Sequence, residues 1–194
     1  MTSIDIFKAK TTQMGGFAKP NVFQVILPTF GRSEFGGENL SLLCTAVQMP
    51  GRQIMHREQY IGPVRRNYAY GYATLPVNLT FRVMNDYGIR NYFDYWQNLA
   101  FNQETKEIGF HNEYTKQVKI RQLKKGVALP IYSTRSVTEA EPLLLEPEQI
   151  MHEVTLEDAF PDSMNGLEFG DQIENQPLDM NVSLLYTNWK TTRK

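Results

Sequence analysis

The stretch from Leu75 to Phe101 constrains this chain more than any other. Val77, Leu79, Phe81 and Val83 alternate with Asn78, Thr80 and Arg82, a period of two that suits a strand with one buried face. The period then changes. Ile89, Phe93, Trp96 and Ala100 recur at helical spacing and form one apolar stripe. Asn85-Asp86 stands between the two patterns as the expected N-cap, because a short side-chain oxygen can accept an unpaired N–H of the first turn. The unit reads as a sheet carrying a helix, Tyr87 to Phe101, on its apolar side. It places no group of catalytic type.

The rest of the chain reads mostly as strands. Met1 to Met14 is a polar arm or short helix that Ile4, Ile6 and Phe7 could dock, and Gly15-Gly16 breaks it. Strands are expected over Asn21–Leu27, Leu40–Met49, Gln53–Tyr60, Tyr114–Leu123, Ile150–Leu156 and Leu178–Trp189. Tyr68, Tyr70 and Tyr72 alternate with small residues, as in an exposed ribbon. Asp158–Asn175 reads as irregular. Lys124–Gln149 holds Pro130, Pro142 and Pro147 and reads as a long loop. Strands without alternating helices argue for a mainly β (α+β) fold. We expect an antiparallel β-barrel or sandwich of six to seven strands with one long flanking α-helix. The expected division is an arm over 1–16, a β domain over 17–190 with the Pro-rich insertion at 124–149, and a frayed tail over 191–194.

Twenty Lys and Arg against 21 Asp and Glu leave a net charge of −1. That disfavours a protein whose main task is to grip DNA or an anionic membrane. The single cysteine, Cys44, permits no internal disulfide and points to a reducing compartment. No apolar run has the length of a signal peptide or a membrane span.

Chemical motifs are scarce. His56, His111 and His152 lack a second His or Cys at ligand spacing, and His152-Glu153-Val154-Thr155-Leu156 has Leu where a zinc-protease motif needs its second His. Neither Gly15-Gly16 nor Gly36-Gly37 completes a phosphate loop. Cys44, among Leu42, Leu43 and Ala46, reads as a buried inert thiol. The acids Glu153, Glu157, Asp158 and Asp162 read as a solvated face, with an acid–base pair as the sharper alternative. No metal or cofactor is expected.

Arg57, Arg65 and Arg66 are interleaved with Tyr60, Tyr68, Tyr70 and Tyr72. Such a mixture can stack on single-stranded nucleic acid or build a protein interface, where both residue types are enriched. The lack of a basic surplus favours the interface, so Arg57, Tyr60, Arg65, Arg66, Tyr68 and Tyr70 are the interface candidates.

Five segments in order resemble the tail tube protein family of T-even-like contractile-tailed bacteriophages (myoviruses). Phe17-Ala18-Lys19-Pro20-Asn21-Val22-Phe23-Gln24-Val25 resembles the lead into the first strand. Leu43-Cys44-Thr45-Ala46-Val47-Gln48-Met49-Pro50 is similar to the second strand and the proline that ends it. Val83-Met84-Asn85-Asp86 with Arg90, Phe93 and Trp96 resembles the strand-to-helix unit. Leu156-Glu157-Asp158-Ala159-Phe160-Pro161 resembles a late turn, and Met180 to Trp189 the terminal strand. The Pro-rich Lys124–Gln149 is the clearest departure.

The resemblance implies a structural protein without an active site. Six subunits would close a ring, and rings would stack head to tail into a tube inside a contractile sheath, initiated at the baseplate. A tape-measure protein and then DNA would occupy the bore, and the genome would pass through it into the host. The virion would be its place, with assembly in the host cytoplasm. On this view Asn78, Thr80, Asn181 and Ser183 are candidates to face the lumen, where few positive charges would let DNA slide. Arg82, Lys119 and Arg121 oppose that assignment if they share the face. Gln53–Tyr72 would contact a neighbouring subunit, and Met1–Gly16 the next ring. Two alternatives stand beside it. One is a baseplate tube-initiator or secretion-system tube protein of the same fold. The other is a small β-barrel nucleic-acid-binding protein or enzyme.

Overall fold

One strand belongs to two sheets, and the architecture follows from it. In the computed structural model, which describes residues 3–13, 17–18, 20–30, 40–124, 150–167, 169–170 and 177–192, β7 (Ile150–Met164) runs for 15 residues. Its first half pairs with β6 (Lys116–Leu123) and with β9 (Asn188–Thr192). Its second half pairs with β8 (Asp179–Leu185). Asp158, at φ 53°, lies between the two halves. The left-handed conformation there bends the strand from one layer into the other, as an inserted bulge residue does.

With β1 (Phe23–Ile26), β2 (Cys44–Val47) and β5 (Val77–Arg82), the strand order around β7 is β1-β6-β7-β8-β5-β2, with β9 added on β7. The short outer strands are β1 and β2, and all these pairs are antiparallel. β1 and β2 end the order and do not pair with each other. The layers therefore make a sandwich, not a closed barrel. A groove of about 310 Å³ lies where closure would occur, between Val22 and Phe23 on one side and Thr45 to Val47 on the other.

The alternation seen in sequence sets the core. β5 (Val77–Arg82) buries Val77, Leu79 and Phe81, and β8 buries Met180, Val182 and Leu184 opposite them. β6 contributes Val118 and Ile120, and β7 contributes Val154 and Leu156. The helix α2 (Gly88–Ala100) adds Ile89, Tyr92, Phe93 and Trp96 to the same cluster. Phe93 packs on Phe81 with ring centroids 5.3 Å apart. Two polar anchors fix the helix: Tyr92 Oη donates to the Pro28 carbonyl and Trp96 Nε1 to the Tyr114 carbonyl, both at 2.6 Å. A short helix, α3 (His111–Tyr114), precedes β6.

Several expectations need correction. The N-cap of α2 is Tyr87, at φ 53° and without a side-chain cap; Asp86 instead accepts from the Gly88 N–H at 3.1 Å, one position early. Phe160 to Met164 is strand and not irregular chain, because β8 supplies a pairing edge that local sequence cannot show. The Leu156–Pro161 segment is a bulge inside that strand and not a turn. The closing segment is two strands, broken after Leu185. Thr191 and Thr192, expected to fray, pair with Val154 and Glu153. Of the two readings of the N-terminal segment, arm or short helix, the helix holds over α1 (Ser3–Gln13). The insertion 125–149 lies outside the described residues.

Two long strands stand apart. β3 (Arg52–Ile61) and β4 (Val64–Thr74) pair only with each other, around a turn in which Gly62 takes φ 63°. β3 is exposed throughout and β4 over all but its last two residues.

Candidate assembly surfaces

Three surfaces stand out: a neutral sheet face, the free hairpin, and a loop after α2.

Strand alternation that buries Val77 and Leu79 turns Asn78 and Thr80 outward. The register sets Asn78 opposite Ser183 and Thr80 opposite Asn181, so the four residues share one face. Thr80 Oγ1 donates to Asn181 Oδ1 at 2.7 Å, and Asn78 Nδ2 to Gln48 Oε1 at 3.3 Å. Thr45 Oγ1 donates to the Thr80 carbonyl at 3.2 Å. Arg82 ends the row and faces Asp179, 3.7 Å away, which offsets its charge. Lys119 and Arg121 lie on β6, in the other half of the sandwich. Arg121 there forms an ion pair with Glu153. The positive charges that opposed a neutral face are thus on a different sheet or compensated.

The hairpin divides the interface candidates. Opposed pairs Arg57–Tyr68, Gln59–Arg66 and Ile61–Val64 present one face, and Glu58–Asn67 and Tyr60–Arg65 the other. Arg57, Arg66 and Tyr68 therefore act together, while Arg65 makes an ion pair with Glu58 behind them. Tyr70 falls at a register shift between the Met55 and His56 pairs and is 70% exposed. At the hairpin base, Arg52 stacks between Tyr72 and Trp189, 4.8 and 5.3 Å from the ring centroids. The hairpin is thereby tied to β9 at its root and free at its tip.

Between α2 and α3 the chain forms an ordered loop that no periodic pattern marks in the sequence. Phe101 bridges Ile108, the Gly109 N–H donates to the Ala100 carbonyl at 3.0 Å, and Asn102 Oδ1 accepts from the N–H groups of Glu104 and Thr105. A Cβ on Gly109 would meet the Leu99 carbonyl oxygen at 2.0 Å, so only glycine permits this return. The ordered loop holds Ile108 and Phe110 about 80% exposed, beside Glu104 and Glu107. The overlooked signal was an apolar pair outside any periodic pattern, flanked by acids. On α1, Ile4 and Phe7 are also exposed, and Phe7 meets Phe17 at 6.2 Å.

Other chemically suggestive residues are accounted for locally. Burial pushes the Cys44 thiol up to about 12, against a smaller opposing effect of the Ala46 backbone. Glu153 and Glu157 of the acid cluster pair with Arg121 and Lys190, while Asp158 forms the bend. Among the described residues no group of His, Cys, Asp and Glu could hold a metal, and no helix is long and apolar enough to cross a membrane.

A family model described as phage tail tube protein matches residues 16–192. No curated protein matches the sequence. Solved structures share the fold. A chain of the anti-feeding prophage (AFP) baseplate aligns with a TM-score of 0.58 at 14% identity, over 91% of this chain and 96% of its own. A chain of the AFP tube-terminating cap aligns at 0.59 and 12%, over 92% of each. A chain of the PVC sheath–tube complex, an extracellular contractile injection system in the extended state, aligns at 0.58 and 13%, over 95% and 98%.

Proposed function

The chain belongs to the phage tail tube protein family, and from that premise we propose that it is the structural subunit of the inner tube of a contractile, T-even-like bacteriophage tail. Six copies close a ring, and rings stack head to tail within the sheath, beginning at a baseplate initiator. The tape-measure protein and then DNA occupy the bore, through which the genome is ejected. Subunits are made and assembled in the host cytoplasm and end in the virion. Such a role calls for no active site.

The observation that carries this reading is the neutral face around Asn78, Thr80, Asn181 and Ser183, which serves as the lumen wall. Hydroxyl and amide groups offer hydration without the counterion-releasing contacts by which Lys and Arg hold phosphates. The hairpin residues Arg57, Tyr60, Arg65, Arg66, Tyr68 and Tyr70 supply subunit contacts, since a two-stranded ribbon with both faces in water is marginal alone. The arm, residues 1–16, reaches the next ring. A baseplate initiator of the same fold is the second reading, favoured by the similar fold of the AFP baseplate chain. Copy number per particle, from quantitative mass spectrometry with electron microscopy of purified tails, decides between them. Many copies along the tail support the tube, a single ring supports the initiator, and absence from the particle overturns both.

A further inference from the structure

The hairpin tip and the loop at 101–113 are complementary. On one hairpin face Arg57 and Arg66 flank Ile61, Val64 and Tyr68, and neither arginine makes an ion pair among the described residues. Glu58, the acid of the hairpin, is engaged with Arg65 on the opposite face. The loop offers the converse: exposed Ile108 and Phe110 with Glu104 and Glu107, neither acid in an ion pair. Glu107 accepts from Thr105 Oγ1 at 3.2 Å, which orients its carboxylate. Lys106, at φ 61° in the turn, is the one base among them.

We infer that the Arg57–Arg66 face of the hairpin docks on the Glu104–Phe110 loop of a second copy of this chain. Each side combines apolar side chains with charges at the edge, the composition of a specific protein contact, and the charges are of opposite sign. The surfaces are unlike, so the contact is head to tail and propagates from copy to copy instead of closing a pair. Docking covers Ile61, Val64, Ile108 and Phe110, which a solitary chain leaves in water. The inference rests on the self-assembling tube reading and names the surface that meets the hairpin.

Charge exchange tests it. Arg57→Glu/Arg66→Glu, and separately Glu104→Lys/Glu107→Lys, place like charges across the contact. Each should lower the sedimentable assembled fraction by about tenfold or more. The quadruple variant carries all four changes, restores opposite signs at unchanged net charge, and should recover assembly. Thermal melts of the unassembled chains check that the exposed substitutions leave the fold intact. The inference is overturned if either double variant assembles like the parent, if the double variants lose sheath binding alone, or if the quadruple variant folds but stays unassembled. A parent chain that forms neither rings nor tubes, even when seeded with tail baseplates, overturns the tube reading itself.

Discussion

Trp96 Nε1 donates to the carbonyl of Tyr114 across 2.6 Å, while the Nε1 of Trp189, also buried, has no hydrogen-bond partner among the described residues. The two indoles thus predict different costs for the same substitution. Trp96→Phe opens space in the core and leaves a carbonyl unpaired, and should cost about 2–4 kcal/mol. Trp189→Phe removes an N–H that gains nothing from burial, and should cost less than about 1 kcal/mol. Urea unfolding of both variants measures the difference.

Asp158 holds a left-handed conformation in mid-strand. Asp158→Gly removes the steric cost there and should remain within about 1 kcal/mol of the parent. Asp158→Val places a β-branched side chain at the same φ and should lose about 1–3 kcal/mol. A ranking of Gly above Val in thermal unfolding confirms that the bend, and not the carboxylate, is what this position contributes.

Lysine at position 78 tests the lumen. Asn78 is exposed, so Asn78→Lys should fold and assemble. Under the proposed function it adds a ring of positive charge to the DNA path. Particle numbers should stay normal while genome release slows, and the defect should deepen at low salt. Release kinetics equal to the parent at every ionic strength would remove Asn78 from the bore.

Alkaline pH should destabilise the chain in two stages. Burial raises the Cys44 thiol to about 12, and burial also raises the Tyr92 hydroxyl. Both groups therefore lose protons more readily from the unfolded chain. Their contribution is complete below the unfolded values and falls as pH rises past about 8.5 for cysteine and about 10 for tyrosine. Cys44→Ala should abolish the first stage in a pH series of urea midpoints. Alkylation of the native Cys44 thiol at pH 8 should be on the order of a thousandfold slower than that of a free cysteine.

The strand-to-helix unit was legible because burial imposes its own period. Val77, Leu79 and Phe81 could only face inward together, and Ile89, Phe93 and Trp96 only along one helical stripe. Val182 and Leu184 follow the same alternation and are buried. What stayed hidden depended on partners distant in sequence. Phe160 to Met164 has no clean alternation, and β8 makes it a strand. Thr191 and Thr192 look like a polar tail until Val154 and Glu153 offer them a ladder. The division of Arg57, Arg65 and Arg66 between two faces follows from register, which composition does not carry. Ile108 and Phe110 belong to no period, so the sequence alone does not single them out.

The shared strand β7 also has a mechanical consequence. With Ile150 to Glu157 bonded into one layer and Phe160 to Met164 into the other, a load applied to either layer is passed covalently to its counterpart. Sliding the layers apart would require breaking the ladders along β7 collectively, not stretching a loop. A wall assembled from such subunits resists shear as a single laminate.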